Sequence, residues 1–482
     1  MATISSIGIG SGLDIEGVIT QLVAVERAPV TKLKTEATSL QTKLSTYGKL
    51  QSGMAALRDA ASALMRPSTW NATVGSSSDA TSVAVTTSAS TLPGSYSLEV
   101  QRLASVQSNA TGVYASADAL VGEGTLRIEL GTWGAGQSSF TPKAGATAVD
   151  ITVGPPAESL AQLRDKINAS NSGVVASVLT DASGARLVLR SAATGEVNGF
   201  RISATDTDGN NFDGVGLSAL AFDPSAGILT MAQALAAANA AASLNGLPIA
   251  SESNTLSNVL DGMTLTLGKV TTAPVLLEAK SDTASIRKAL DSFVTAYNDL
   301  NKLVAEQTKY DAASKTAGVL QGDSAAVSIR AQMRSLLGSS SSASAMFSRL
   351  SEVGFDVQTD GSIKLDETKL SNGLANLAEM KKLFSNSDLL APANNGIATK
   401  LRAMADQVLG IEGSISTRSE GLRKRIDLNQ DRQELLEDRI AMMEKRLRAQ
   451  YTALDKQMAS LNSLSSYVTQ QIAALSRSSN DN

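Results

Sequence analysis

The stretch "RIDLNQDRQELLEDRIAMMEKRLRAQ", residues 425–450, decides the fold of this 482-residue chain. Ile426, Gln433, Ile440 and Leu447 stand seven residues apart, and three of these four are aliphatic. A seven-residue apolar repeat is typical of a helix that buries one stripe against another helix. The stretch therefore predicts a long helix that needs a partner.

The repeat extends to the end of the chain. Its first position holds Ile426, Gln433, Ile440, Leu447, Leu454, Leu461, Val468 and Leu475, and its second holds Asn429, Leu436, Met443, Gln450, Gln457, Leu464 and Gln471. Between residues 418 and 448, 16 of 31 side chains are charged with mixed sign, which predicts solvated, salt-bridging faces. Because the second position is so often polar, we expect weak pairing that gains stability only from docking.

A second helical pattern lies at the other end of the chain, from Ile15 to Leu64. Apolar residues recur there at three- and four-residue steps. They are Leu33, Leu40, Leu44, Tyr47, Leu50, Met54, Leu57 and Leu64. Pro29 predicts a kink or break in this helix. If the chain runs out along one terminal helix and returns along the other, the two can lie side by side.

Between the two helical ends, residues 83–280 have a sequence pattern that is typical of β-strands. Alternating stretches such as "SYSLEVQRL" and "MTLTL" are separated by turn pairs such as Asp261-Gly262. "ESLAQLRDKINAS" is a short helix within this block. We predict two β-rich modules.

Helical spacing returns at Thr283. The side chains that form this predicted helix core are Ile286, Leu290, Phe293, Tyr297 and Leu300. Further helices are predicted over Ser324–Leu337 and Lys369–Phe384, with a hairpin, "GFDVQTDGSIKLD", between them.

The predicted fold class is α+β and multidomain, with paired terminal coiled-coil helices, a helical-bundle leg domain and two inserted β-rich head domains. The predicted boundaries are 1–70 for the N-terminal coiled-coil segment, 71–82 with 281–407 for the leg, 83–113 with 240–280 for the inner head, 114–239 for the outer head, and 408–482 for the C-terminal coiled coil.

Composition excludes several kinds of chemistry. The chain has no Cys and no His, so it lacks thiolate and imidazole ligands and the usual general base. A net charge of −4 gives no general attraction to nucleic acid. No stretch predicts a signal peptide or a membrane span. We expect no enzyme activity and no cofactor.

Three local motifs are weak candidates for ligand sites. Gly8, Gly10 and Gly12 precede a helix but follow no strand, so a flexible leader is favoured over a phosphate loop. Residues 206–214, "DTDGNNFDG", lack the glycine and glutamate of a calcium loop, which favours a turn. The basic triplet at 423–425 has no interleaved aromatic residues.

Several segments resemble the flagellar filament cap proteins, the hook-associated protein 2 family. They are "GIGSGLDIEGVITQLVAVERAPVTKL", "DSFVTAYNDLNKLV", "GVLQGDSAAVSIRAQMRSLL", "LSEVGFDVQTDGSIKLDETKL" and "KKLFSN", in that order along the chain. Two further segments, which begin at Ile151 and Leu244, are similar to flagellin-type hook IN repeats.

This resemblance implies where the protein is located and which partners it has. It implies a homo-oligomer of five or six copies at the distal tip of the flagellum, where the plate helps exported flagellin fold and insert. It also implies contact with other hook-associated proteins, a cytoplasmic export chaperone on the C-terminal region, and type III export without a cleaved signal peptide. Neither nucleic acid nor membrane insertion is implied.

We expect the docking seam to consist of residues on both terminal helices that contact each other and filament subunits. These are Leu33, Leu40, Tyr47, Ile440, Leu447, Leu454, Leu461 and Val468. We also expect both ends to be partly disordered in the free protein and to order on assembly.

Two alternatives remain open from the sequence. A flagellin-like or junction subunit also pairs terminal helices around β domains, but such proteins begin with an Asn-rich helix, which is missing here. A cap with added mucin adhesion is the second alternative. The sequence offers no aromatic cluster for stacking on sugars.

Overall fold

The computed structural model describes residues 14–478 of the chain. Its contacts divide the chain into two compact units, Met1–Thr69 with Ile286–Asn482, and Trp70–Ser285. The helices are α1 (Ile15–Met65), α2 (Pro67–Trp70), α3 (Leu160–Ala169), α4 (Thr283–Thr308), α5 (Ser324–Leu337), α6 (Glu367–Ala375), α7 (Leu377–Ser385), α8 (Ile397–Leu409) and α9 (Ser414–Ser478).

The strands lie mostly in the second unit. They are β1 (Thr73–Ser77), β2 (Val83–Thr87), β3 (Gly94–Arg102), β4 (Ser108–Ala110), β5 (Gly124–Trp133), β6 (Phe140–Pro142), β7 (Val149–Val153), β8 (Val174–Asp181), β9 (Gly184–Ser191), β10 (Gly199–Asp206), β11 (Ala232–Leu235), β12 (Ala240–Leu244), β13 (Leu247–Ser251), β14 (Thr255–Leu260), β15 (Met263–Leu267), β16 (Val275–Ser281), β17 (Tyr310–Asp311), β18 (Thr316–Ala317), β19 (Phe355–Val357) and β20 (Ile363–Leu365).

The inner β-module of the second unit packs two antiparallel sheets around one core. The larger sheet has the order β1-β16-β3-β12-β13, and the smaller has the order β14-β15-β2. Leu98 and Val100 of β3 and Leu265 of β15 are buried in this core. Gly262 makes the β14–β15 turn with a φ of +72°, a conformation that favours glycine. The alternating stretches therefore form strands as predicted.

The outer β-module has two four-stranded sheets and the helix α3. One sheet has the order β10-β5-β6 with β7 also paired to β5, and the other has the order β11-β4-β9-β8. Ser159 and Gln162 form a capping box at the start of α3, which buries Leu163 and Ile167 in the core. The predicted short helix is therefore present.

The module boundaries differ from the sequence prediction at two strands. The predicted boundary at residue 82 assigns β1 to the leg, but β1 pairs with β16 in the inner sheet. The predicted boundary at residue 113 assigns β4 to the inner module, but β4 pairs with β9 and β11 of the outer module. Both strands are short, and the partners that assign them to a sheet, β16 for β1 and β9 for β4, lie far away in sequence.

The first unit is built on helices around an aromatic core. Phe355 lies between Phe293 of α4 and Phe384 of α7, with ring centroids 6.4 Å and 5.4 Å away. All five residues of the predicted α4 core are buried: Ile286, Leu290, Phe293, Tyr297 and Leu300. A Cβ at Gly53 of α1 would lie 3.1 Å from Leu300, so α1 passes close to α4. The predicted hairpin is present as β19 and β20.

The structure differs from the sequence predictions inside two helical segments: the break considered at Pro29 does not occur, and a predicted single helix is divided. α1 runs without a break through Pro29, because Val25 and Pro29 are exposed and water can satisfy the carbonyl that loses its N–H partner. The helix predicted over Lys369–Phe384 is two helices, which meet at the non-helical Asn376. The break brings Met380 onto Gly373, where a Cβ would lie 3.2 Å from the Met380 sulfur.

Candidate docking site on the terminal helices

The long helices α1 and α9 pack side by side in opposite directions. Arg448 donates hydrogen bonds of 2.7 Å and 2.6 Å to the Glu16 carboxylate, whereas Arg425 reaches Glu36 at 3.4 Å. Residue numbers thus rise along one helix as they fall along the other. These pairs are exposed, so they specify alignment more than they add stability.

An apolar core, the terminal seam, holds the two helices together near the start of α1. It consists of Ile15, Ile19, Val23 and Val30 of α1 and Ile440 of α9. Leu436, Met443, Leu447 and Tyr451 pack against it while half-buried. The seam uses both positions of the seven-residue repeat of α9, as a coiled coil does.

Two polar residues of α9, Asn429 and Gln433, precede the seam residues of this helix and are here called the polar layer. Asn429 is buried, and its side-chain oxygen accepts a hydrogen bond of 2.6 Å from the half-buried Gln433. A polar layer within an apolar seam costs stability but disfavours shifted registers, because a shift would pair amides with leucines.

A buried junction anchors both long helices to α5. The Tyr47 hydroxyl donates a 2.6 Å hydrogen bond to Asp323, and Arg418 Nε donates to the other oxygen at 3.1 Å. Asp323 also caps α5 by accepting from the backbone N–H groups of Ala325 and Ala326. The junction therefore joins three helices through one carboxylate.

The electrostatics of the junction favour an ionised Asp323. Burial opposes ionisation, but the hydrogen bonds from Tyr47 and the Ala326 N–H, together with Arg418, lower the pKa of Asp323. Burial and the hydrogen bond to Asp323 raise the pKa of Tyr47. Tyr47 stays a donor over the whole physiological pH range.

Tyr451 is the last residue of α9 that packs on the terminal seam. Five apolar side chains of α9 beyond Tyr451 lie on one side of the helix, here called the distal face, and are 43 to 62% exposed. The distal face consists of Leu454, Leu461, Leu464, Val468 and Ile472. About 20 residues of helix thus present an apolar side without a partner in residues 14–478, a length of roughly 30 Å.

The structure separates the predicted seam residues into two groups. Leu40 and Tyr47 are buried, Leu33 is half-buried, and Ile440 and Leu447 belong to the core around the start of α1. Leu454, Leu461 and Val468 lie on the distal face.

Direct contact between Leu33, Leu40 or Tyr47 and the residues from Leu447 onward was therefore a wrong prediction. The antiparallel register brings Leu447 near Ile15 and Ile19 instead. The prediction from sequence did not include Ile15, Ile19 and Val23 in the seam. Their four-residue spacing indicates one apolar side of a helix and could have identified them.

The other candidate motifs do not form a ligand site. Asp208 accepts a turn hydrogen bond of 2.8 Å from the Asn210 N–H, and Asp206 accepts a hydrogen bond of 3.0 Å from the Ser218 N–H twelve residues further on. Both carboxylates thus bond to backbone groups. No group of three or more acidic residues suited to a metal ion occurs in the described part of the chain. Gly8, Gly10 and Gly12 lie outside the described residues.

Sequence comparison connects this helical pair to known proteins. Models of the flagellar hook-associated protein 2 N-terminus and C-terminus match residues 11–107 and 237–463, and the flagellin hook IN motif matches residues 139–193. The flagellar hook-associated protein 2 of Escherichia coli K12 is 32% identical over 98% of both chains. This chain belongs to the flagellar hook-associated protein 2 family. The Salmonella typhimurium member is 30% identical over 99% of this chain and 100% of its own.

Structural comparison agrees with membership of the hook-associated protein 2 family. A crystal structure of the D1, D2 and D3 domains of the flagellar cap protein FliD from Escherichia coli aligns with a TM-score of 0.59 and 28% identity. The alignment covers 78% of this chain and 99% of that one. The predicted fold class is confirmed, and the comparisons place the chain among the flagellar filament cap proteins rather than the filament subunits.

Along residues 14–478, each helix is too short or too polar to cross a bilayer.

Proposed function

We propose that several copies of this chain cap the distal end of the flagellar filament, and that α9 docks onto filament subunits through its distal face. The observation that carries the docking proposal is the exposure of Leu454, Leu461 and Val468 on a helix that is otherwise paired. Burying a leucine side chain stabilises an interface by roughly 1.5–3 kcal/mol, so a partner gains from covering this face.

The sequence of the distal face suits contacts that break and re-form. Gln457 and Gln471 interrupt its apolar positions, so each turn of helix adds only a modest contact. A cap must move as each flagellin subunit is added beneath it. In this proposal the five- or six-copy plate also retains exported flagellin while it folds and inserts.

The same helix has an earlier role in our proposal. Before export through the flagellar type III channel, a cytoplasmic chaperone covers the C-terminal region, which keeps its apolar side chains from self-association. At the tip of the filament, other hook-associated proteins and flagellin are the neighbours of this chain.

In the same proposal, the outer β-module and the inner β-module form the head of the cap protein, and the helical unit forms its leg.

The docking proposal is tested in cells that lack their own copy of the protein. The Leu454→Asp/Leu461→Asp variant is compared with Ser466→Asp/Gln470→Asp, which places the same two charges on the opposite side of the helix. All four residues are exposed, so neither variant disturbs a core.

We expect the first variant to release flagellin into the medium and to give few or short filaments in electron microscopy, while the second behaves as wild type. Normal filaments from the Leu454→Asp/Leu461→Asp variant would disprove docking through the distal face. Circular dichroism of both purified variants checks that α9 remains helical.

A further inference from the structure

α9 carries a second apolar line, whose residues are outside the terminal seam. Leu428, Leu435 and Met442, here called the outer stripe, are 56%, 69% and 69% exposed. They are seven residues apart, so they line one side of the helix over roughly 21 Å. Three large apolar side chains at seven-residue spacing are the pattern of a helix–helix contact.

Charges flank the outer stripe in two columns. Asp431 and Asp438 follow Leu428 and Leu435 by three residues, whereas Arg432 and Arg439 follow them by four. Residues three and four positions apart are neighbours on a helix surface, on opposite sides of the stripe. One flank is therefore acidic and the other basic, as in the charged flanks of a coiled-coil seam.

These four charges are free to meet a partner. In the described part of the chain none of them makes an ion pair, although Arg425 and Arg448 on the same helix do. All four side chains are exposed. The flanking residues thus have unused charge beside an uncovered apolar line.

A groove of mixed polarity lies beside the outer stripe on its basic side. Ile440 and Met443 line it together with Glu26, Arg439, Met442 and Arg446, and its volume is about 560 Å³. Side chains from a neighbouring helix on the outer stripe have room to enter this groove.

We propose that the outer stripe packs against the outer stripe of neighbouring copies of this chain, with the helices parallel. In a parallel arrangement the basic flank of one copy meets the acidic flank of the next, whereas an antiparallel arrangement places Arg432 and Arg439 against their own counterparts. The charge pattern thus selects both the partner and its direction.

Parallel packing also fits cyclic assemblies. Around a symmetry axis each copy offers its basic flank to one neighbour and its acidic flank to the other, for any number of copies. The charge complementarity between the two flanks is confined to the two central heptads. Lys424 and Lys445 stand seven residues before Asp431 and seven residues after Asp438, so the acidic flank does not extend beyond these two aspartates. The inference rests on the self-assembly in the proposed function, but it concerns a different face from the docking site.

Cysteine cross-linking of the full-length protein tests the contact, since the native chain contains no Cys. Leu428→Cys and Met442→Cys are oxidised separately and as a mixture, with the exposed Ala441→Cys as the control on another side of the helix. A disulfide needs Cα atoms within about 7 Å, so it separates parallel from antiparallel packing over a 14-residue offset.

We expect each stripe variant to form dimers with itself at least about fivefold above the Ala441→Cys control, and the mixture to form no bond between positions 428 and 442. A bond between these two positions, or capture of added flagellin in place of a second copy, overturns the proposal. Mass measurement on the same samples separates two failures. Assembled protein without stripe cross-links overturns only this inference, whereas a chain that stays monomeric overturns self-assembly as well.

Charge reversal gives an independent measure. Asp431→Arg/Asp438→Arg or Arg432→Asp/Arg439→Asp makes both flanks alike, and we expect stripe cross-links to fall at least about fivefold. The chain with all four changes exchanges the two columns, so its cross-linking should recover. Failure of that recovery, with α9 still helical by circular dichroism, overturns the charge argument.

Discussion

Tyr47 and Asp323 are 276 residues apart in the chain, and a buried hydrogen bond of 2.6 Å joins them. Through this contact and the 3.1 Å bond from Arg418, one carboxylate fixes the positions of α1 and α9 relative to α5. The packing of the terminal helices is therefore anchored at one end by a polar junction and at the other by the terminal seam. Each anchor has consequences that can be measured.

Loss of the Tyr47 hydroxyl should destabilise the helical unit. Tyr47→Phe leaves a buried acceptor short of one partner, and we expect a loss of about 1–3 kcal/mol in the free energy of unfolding by urea. Tyr297→Phe is the matched control, because the buried Tyr297 hydroxyl has no hydrogen-bond partner among residues 14–478 and its removal should cost little. Equal effects of the two substitutions would contradict the role of the junction.

The junction should also make stability depend on acid pH. The pKa of Asp323 is lower in the folded protein than in the unfolded chain, so its ionised form stabilises the fold at neutral pH. That contribution is lost as the pH falls below about 4, the ordinary value, toward the folded pKa. Asp323→Asn should therefore flatten the acid limb of a stability curve, whereas Asp427→Asn, at an exposed position, controls for net charge.

The two apolar faces of α9 should respond differently to truncation. Ile440→Ala opens the terminal seam, and we expect a loss of about 2 kcal/mol or more and faster proteolysis of both terminal helices. Leu461→Ala removes an exposed side chain and should leave the stability of the free protein nearly unchanged. A large loss of stability from Leu461→Ala would mean that the distal face is already covered in the free chain.

The polar layer at Asn429 should lower the stability of the helix pair while it helps to fix the register of α1 and α9. Asn429→Leu removes a buried amide, and we expect a gain of about 1 kcal/mol together with looser register. Alignment is measured as the yield of a disulfide in Glu16→Cys/Arg448→Cys, because these side chains meet only in the native register. An unchanged disulfide yield in the Asn429→Leu background would show that the polar layer does not set the register.

The distal part of α9 should be the first segment that proteases cleave in the free protein. Most side chains of residues 452–474 are exposed, so little packing opposes local unfolding. We expect protection of the same segment on isolated filaments. Full resistance in dilute monomer would contradict ordering on assembly.

Much of the local structure could be predicted because it depends on spacing. The heptads of α9, the alternation of β3 and β15, and the capping box of α3 are local patterns with local physical causes. The helix through Pro29 and the break at Asn376 were not predictable in the same way. In both places the tertiary contacts outweigh the local preference, through the seam residues on either side of Pro29 and through the packing of Met380 on Gly373.

The sequence by itself determined that the two ends are helices with apolar lines and that β-rich modules lie between them. Only the tertiary structure decided which turns of α1 meet which turns of α9, which strands pair, and which apolar line of α9 stays uncovered. The physical reason is that a seven-residue repeat looks the same after a shift of one heptad. The repeat alone does not decide which turn of α1 Leu447 contacts, whereas the junction at Tyr47 and the pair of Glu16 with Arg448 fix one register.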